Sequence, residues 1–188
     1  MTPIFHAFNH EQLSGFRAES ITKMFNEVKP GLIRVEADEI TYNLHIILRF
    51  ELEEAMINGK IKAKDLPEIW RERMKKYLGV TPKTDREGVL QDVHWSYGSI
   101  GYFPTYTLGN LYAGQFTNKM KKELNIYELA KRGELGTILS WLRENIHQYG
   151  SLYWPKDLIQ KVTGETLNPD YFLKYIKDKD SKIYNISL

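Results

Sequence analysis

"ADEITYNLHIILRFELEEAMING", residues Ala37 to Gly59, decides the fold class. Ile40, Leu44, Ile47, Leu48, Leu52, Ala55 and Met56 recur at steps of three and four, while Glu39, Asn43, Arg49 and Glu53 fall elsewhere, which predicts a long amphipathic helix stopped by Asn58-Gly59. The same period runs outward in both directions. Ile69, Trp70, Arg73, Tyr77 and Leu78 make a second stripe before Gly79, opened by Asp65 and Glu68 in the form of a capping box with Pro67 in the first turn. "TPKTDREG" (81–88) reads as exposed loop. From about Thr105, Leu108, Leu111, Tyr112, Phe116, Met120 and Leu124 keep helical spacing, and Asn125 can cap "IYELAKRG". Ile138, Leu139, Leu142 and Ile146 mark a further helix ending at Gly150; Pro155 opens "PKDLIQKVTG", and Asn168-Pro169 precedes "DYFLKYIKD". The last ten residues, "KDSKIYNISL", carry no stripe, and alternation never persists beyond about four residues. The expectation is a mostly α chain with little or no sheet, forming a single helical domain over residues 1–188.

Composition narrows the function classes. The chain has 188 residues, 42% hydrophobic and 27% charged, an ordinary composition for a globular domain with a sizeable core. Lys and Arg number 26 against 24 Asp and Glu, interspersed in sign, so neither a nucleic-acid nor a membrane partner is expected. Cysteine is absent, which excludes a disulfide framework, thiolate metal sites and a Cys nucleophile. The start "MTPIFHAFNHEQ" lacks a basic region followed by a long apolar run, and a cytoplasmic protein is expected.

Three places carry candidate chemistry. His6 and His10 stand at the spacing of a helical zinc pair, but Ala7 occupies the position where the general-base glutamate belongs, so they read as surface histidines. Arg34, in "LIRVEADE", is either a fork for a substrate carboxylate or half of an internal salt bridge to Glu36 or Asp38. The loop "GVLQDVHWSYGSIGYFPTYTLG" (88–109) offers His94 between Asp92 and Trp95, then Tyr102 and Tyr106 across Pro104, with Gly98 and Gly101 permitting a tight turn. An imidazole and a phenol both donate well to an oxyanion when rigidly aimed, and both also occur as satisfied members of an aromatic core.

"IRVEAD" (33–38) and "GVLQDVHW" (88–95) resemble two signature motifs of the carboxypeptidase Taq family of thermostable metallocarboxypeptidases, and "TYNLHIILRFELE" with "GYFPTYTLGNLYAGQ" is similar to that family's connecting helices. The resemblance implies a helical gluzincin fold and removal of single C-terminal residues from peptides. It covers the whole chain but only the C-terminal portion of a family member. It makes Arg34 a candidate for gripping the substrate's carboxylate, with Asp38, Gln91 and Asp92 of the same motifs lining the substrate site, and His94 with Tyr102 or Tyr106 candidates for stabilising the oxyanion. The family's His-Glu-x-x-His helix, downstream glutamate, His-Pro-Phe and Asp-x-Arg-x-Thr motifs have no counterpart here. The zinc or cobalt of a complete member therefore has no ligands in this chain, and a new metal site from His45, His94 and nearby acids has no spacing to recommend it. The expectation is a half-enzyme, inactive alone, that meets a separate N-terminal portion and peptide substrate, or a helical interaction module derived from the family. Helices deprived of their usual cover are expected to pair between copies, giving a homo-oligomer that buries part of Tyr102 to Phe116.

Overall fold

The computed structural model describes residues 15–187, and every regular element among them is helical. In chain order these are α1 (Ala18–Phe25), α2 (Thr41–Ile57), α3 (Leu66–Leu78), α4 (Pro104–Glu123), α5 (Ile126–Arg132), α6 (Leu135–Asn145), α7 (Pro155–Thr163) and α8 (Asp170–Tyr184), with single 3₁₀ turns at Arg34–Glu36, Ala63–Asp65, Trp95–Tyr97 and His147–Tyr149. Among the described residues, no helix is long and apolar enough to cross a membrane. The described residues group into two compact units, 26–109 and 15–25 with 110–187, where the sequence reads as one domain.

The first unit is built on the α2–α3 pair. Leu48 and Leu52 of α2 pack with Leu66, Trp70, Met74 and Leu78 of α3, and Leu32, Leu44, Met56 and Trp95 close around them. Each fully buried Leu or Met here contributes about 1.5–3 kcal/mol. The face of α2 differs from the one its apolar residues suggest. Ile47 and Phe50 are 40% and 47% exposed, whereas His45, Arg49 and Glu53 are buried. Apolar residues lie on every side of this helix, so counting them does not locate the inward face. The predicted stop holds, with Asn58 at the C-cap and Gly59 beyond it.

The capping box before α3 does not form. A 3₁₀ turn at Ala63–Asp65 leads into the helix, so Asp65 already has helical dihedrals (φ −90°, ψ −10°) and makes no side-chain cap. A capping side chain needs extended backbone to turn back onto the first N–H groups.

In the second unit Met120, Trp141, Ile159 and Phe172 are buried. Gly114 of α4 lets α8 come close: a Cβ there would stand 3.0 Å from the Phe172 backbone. Gln115 beside it is buried; its Nε2 donates to Thr163 Oγ1 and Thr166 O, each at 3.0 Å, and its Oε1 accepts from the Asn168 N–H at 2.9 Å. Asn125 accepts from the Glu128 N–H as expected, Pro155 opens α7, and Asn168 accepts from the Asp170 N–H at the start of α8. The final stretch departs from expectation, because α8 continues to Tyr184. Its inward row is Phe172, Tyr175, Ile176, Lys179, Asp180 and Ile183, and two charged residues in that row break the apolar count where the helix does not break.

Candidate functional site

The two motifs converge within the first unit. Gln91 ties their backbones together: its Oε1 accepts from the Arg34 N–H at 2.8 Å, and its Nε2 donates to Leu32 O at 3.0 Å and Glu87 O at 2.9 Å. Beside it Asp92 sits between two guanidiniums. Arg34 Nε donates to both Asp92 oxygens at 3.1 and 3.2 Å and Nη2 to Oδ1 at 2.6 Å, while Nη1 donates to Tyr42 Oη at 3.1 Å. From the opposite side Arg49 Nε donates to Asp92 Oδ2 at 2.8 Å; its Nη2 lies 2.6 Å from the same oxygen but off the hydrogen-bond direction, so that approach is ionic only. Arg49 Nη1 donates to His45 O at 2.8 Å.

Phe103, fully buried, stands against both cations, 5.8 Å from the Arg34 and 5.3 Å from the Arg49 guanidinium carbon. Tyr106 faces Arg34 at 5.3 Å and Trp70 faces Arg49 at 4.7 Å. Burial opposes the Asp92 charge, but hydrogen bonds from Arg34 and the charge of Arg49 outweigh it and hold the carboxyl below its ordinary range. Burial lowers Arg49 to about 10, against the pull of Asp92, so it keeps its charge at neutral pH. For Arg34 the same burial is outweighed by Asp92 and Tyr42, and its proton is held more tightly than usual. Two cations around one anion leave the cluster with one positive charge in excess.

His94 follows in the same loop. Its Nε2 is 3.2 Å from Tyr106 Oη, its ring lies 4.3 Å from Phe103 and stacks on Tyr102 at 5.7 Å, and its Nδ1 is 3.9 Å from Asp92 Oδ1. Tyr102 is half exposed; burial, with Tyr102 beside it, raises the Tyr106 phenol above its usual range. Gly98 and Gly101 have φ of 73° and 78°, the left-handed backbone that lets the loop double back and enter α4 with Phe103 and Tyr106 under His94.

The sequence-derived candidates are thus distributed as follows. Arg34, Gln91, Asp92, His94, Tyr102 and Tyr106 form one cluster. The salt bridge of Arg34 is internal, but its partner is Asp92, 58 residues away, and neither Glu36 nor Asp38. Asp38 is engaged at the start of α2: Oδ1 accepts from the Ile40 and Thr41 N–H groups at 2.9 Å, and Oδ2 from Thr41 Oγ1 at 2.7 Å and the Lys29 N–H at 3.0 Å. Against the effect of burial, these bonds hold its carboxyl below the ordinary range. Arg49, His45 and Glu53 were missed as members of the cluster's surroundings. Glu53, 3% exposed, accepts from the Trp95 Nε1–H at 2.8 Å. His45 is fully buried, and burial together with the charges of Arg49 and Arg34 lowers it to about 4, so it is neutral at physiological pH. A polar residue at every fourth position of the long helix, Thr41, His45, Arg49 and Glu53, was the available signal.

Among the described residues, no group of three or more His, Cys, Asp or Glu side chains could hold a metal ion. The described residues therefore do not fit the zinc or cobalt that the resemblance implies. His6 and His10 lie outside the described residues.

Comparison with known proteins agrees with this arrangement of motifs. Over 168 residues, 89% of its length, the chain is 47% identical to thermostable carboxypeptidase 1 of Pyrococcus furiosus, of which it covers 34%. It is 51% identical over 160 residues to thermostable carboxypeptidase 1 of Thermus thermophilus, covering 85% of this chain and 31% of that one. The chain spans about a third of the length of the curated relatives it matches. The structure of the Pyrococcus furiosus carboxypeptidase superposes with a TM-score of 0.89 at 46% identity, covering 94% of this chain and 36% of that one. The M32 carboxypeptidase of Deinococcus radiodurans gives 0.90 at 38% identity over the same shares. The family model for the carboxypeptidase Taq (M32) metallopeptidases matches residues 1–180, and the chain belongs to that family.

Proposed function

We propose that the chain forms one wall of a metallocarboxypeptidase cleft, the wall that receives the free carboxylate of a peptide's last residue and the developing oxyanion of its scissile carbonyl. The metal and general base come from polypeptide outside the described residues, and the chain alone does not hydrolyse peptides. The observation that carries this reading is the Arg34–Asp92–Arg49 cluster with His94 and Tyr106 beside it. Asp92 fixes the Nε edge of Arg34 and Tyr42 takes one Nη1 proton, so the remaining guanidinium N–H groups are pre-aimed while the excess positive charge favours an incoming carboxylate. With His94 Nε2–H donating to the Tyr106 oxygen, the phenol O–H is left to donate to the oxyanion from rigid elements. Such a donor is worth about 10²–10³ in rate, and only around an activated water, which is why the wall by itself is inert. The lack of cysteine suits work in a reducing cytoplasm.

The test is assembly with the separately expressed N-terminal portion of a full-length relative. The mixture should release C-terminal residues, and Arg34→Ala should raise KM for peptides with a free carboxylate while leaving amidated peptides nearly unaffected. Equal effects on both would make Arg34 purely structural. Alone and after dialysis, the chain should hold no stoichiometric zinc or cobalt by elemental analysis and should leave blocked dipeptides intact.

Self-association is a second reading, supported by the second unit. Tyr112 and Phe116 stack at 6.4 Å and, with Leu152, Trp154 and Leu158, line an open apolar pocket. Copies that cover this patch on one another should sediment as a dimer or larger species, and Phe116→Asp should shift them to monomer. A clean monomer for the unmodified chain at tens of micromolar would remove this reading.

A further inference from the structure

Four buried polar side chains, Thr41, His45, Arg49 and Glu53, occupy successive four-residue steps of α2 and so make one row on its inner surface. Polar groups in such a place are costly unless each is used. Arg49 is used on Asp92 and Glu53 on Trp95, and these are the two residues that bracket Val93 and His94 in the loop. Trp95 is held a second way, edge-on to Trp70 and to Phe103, each at 6.0 Å, and Phe103 also carries the His94 ring. His94 opens the 3₁₀ turn Trp95–Tyr97, so the direction of its side chain follows the backbone that Asp92 and Trp95 fix on either side.

We propose that Arg49 and Glu53 are positioning residues for His94, gripping the loop through Asp92 and Trp95 so that the imidazole stays against the Tyr106 hydroxyl. The inference rests on the reading of His94 with Tyr106 as an oxyanion-binding pair for its purpose, but not for its geometry. Each grip has a separate chemistry. Arg49 offers a forked donor that a carboxylate oxygen accepts, and Glu53 offers an acceptor to an indole N–H that has no other use in an apolar surround. Loss of either should leave α2 helical and release one side of the loop.

Nuclear magnetic resonance on the full chain tests this without metal or peptide. The Trp95 indole N–H should exchange with solvent at least about tenfold more slowly than that of exposed Trp154, as expected of a hydrogen-bonded proton on a partly buried ring. Glu53→Leu and Arg49→Met should shift the His94 imidazole resonances and weaken its contact with Tyr106. Glu53→Gln keeps an acceptor for Trp95 and Arg49→Lys keeps the charge on Asp92, and both should restore the His94 signals toward those of the unmodified chain. Ile46→Val, which loosens the same helix without touching the row, should leave His94 unmoved. Trp95 exchanging as fast as Trp154, or unmoved His94 signals in folded Glu53→Leu and Arg49→Met, overturns the proposal. Should those variants fail to fold, the exchange comparison in the unmodified chain decides alone. A failed assembly with an N-terminal portion would remove the proposed function and leave these outcomes standing.

Discussion

Both units use a glutamine to tie distant segments, Gln115 buried and Gln91 partly buried, and the two differ in what surrounds it. Gln115 joins α4 to the backbone and hydroxyl groups that lead into α8, among neutral partners. Gln91 performs the same task between Leu32, Arg34 and Glu87, but its neighbour Asp92 is clasped by two cations, and four ionisable side chains (Arg34, His45, Arg49 and Glu53) are buried close by along the chain's first unit. A neutral tie is sufficient for folding. Burying charge adds a desolvation cost that packing alone does not need, and apolar replacements of a buried ion pair are often as stable. The charged neighbourhood is therefore the place to look for binding chemistry, and the neutral one for scaffold.

The sharpest way to break the contrast is Asp92→Ala. It leaves two buried guanidiniums facing each other without a counter-charge, and should cost about 3–5 kcal/mol of stability, read from urea denaturation. A loss below 1 kcal/mol, about what an exposed pair is worth, would mean that the cluster is far wetter than its burial indicates. Next comes pH. His45 holds its proton less tightly when folded, about 4 against an ordinary 6.5, so the unfolded chain binds more protons between those values and stability rises with pH across that window. Acidification from 6.5 to 4 should remove about 3 kcal/mol on this account, and His45→Gln should flatten that part of the profile. The depressed carboxyls of Asp92 and Asp38 add to the loss at still lower pH. Gln115→Leu should have a smaller effect, about 1–3 kcal/mol for the Asn168 N–H and Thr166 O left without it, and no change in pH profile. The smallest belongs to Arg71→Ala, whose pairing with Asp85 is well exposed on both sides and should be worth under about 1 kcal/mol.

The sequence was most informative where structure is local. Asn58-Gly59, Pro155 and Asn168-Pro169 act within one turn of themselves, and each marks the boundary it suggests. It was least informative where a residue's role is set across the fold. Arg49 and Glu53 look like the solvated side of α2 because charge usually faces water, and their partners Asp92 and Trp95 lie 43 and 42 residues further on. Asp65 failed as a cap because its backbone had already begun to coil, which residue type does not reveal. That Arg34, Gln91, Asp92 and His94 come together was legible in the two motifs, although Asp38 of the first stays at the start of α2; the partner of Arg34 was not, since nothing in "IRVEAD" distinguishes Glu36 or Asp38 from a carboxylate in a remote loop.

The four-residue row on α2 also governs which changes of length the chain can survive. Inserting or deleting one residue between Thr41 and Glu53 turns everything beyond it by about 100° around the helix axis, so Arg49 and Glu53 could not both reach the loop. Drift in length should therefore be absent from α2 and accumulate in the connecting stretches at 58–62 and 81–87, where an added residue moves no member of the row. Libraries with random single-codon insertions, sorted for folded protein, should show that gap as a silent interval a little over three turns long.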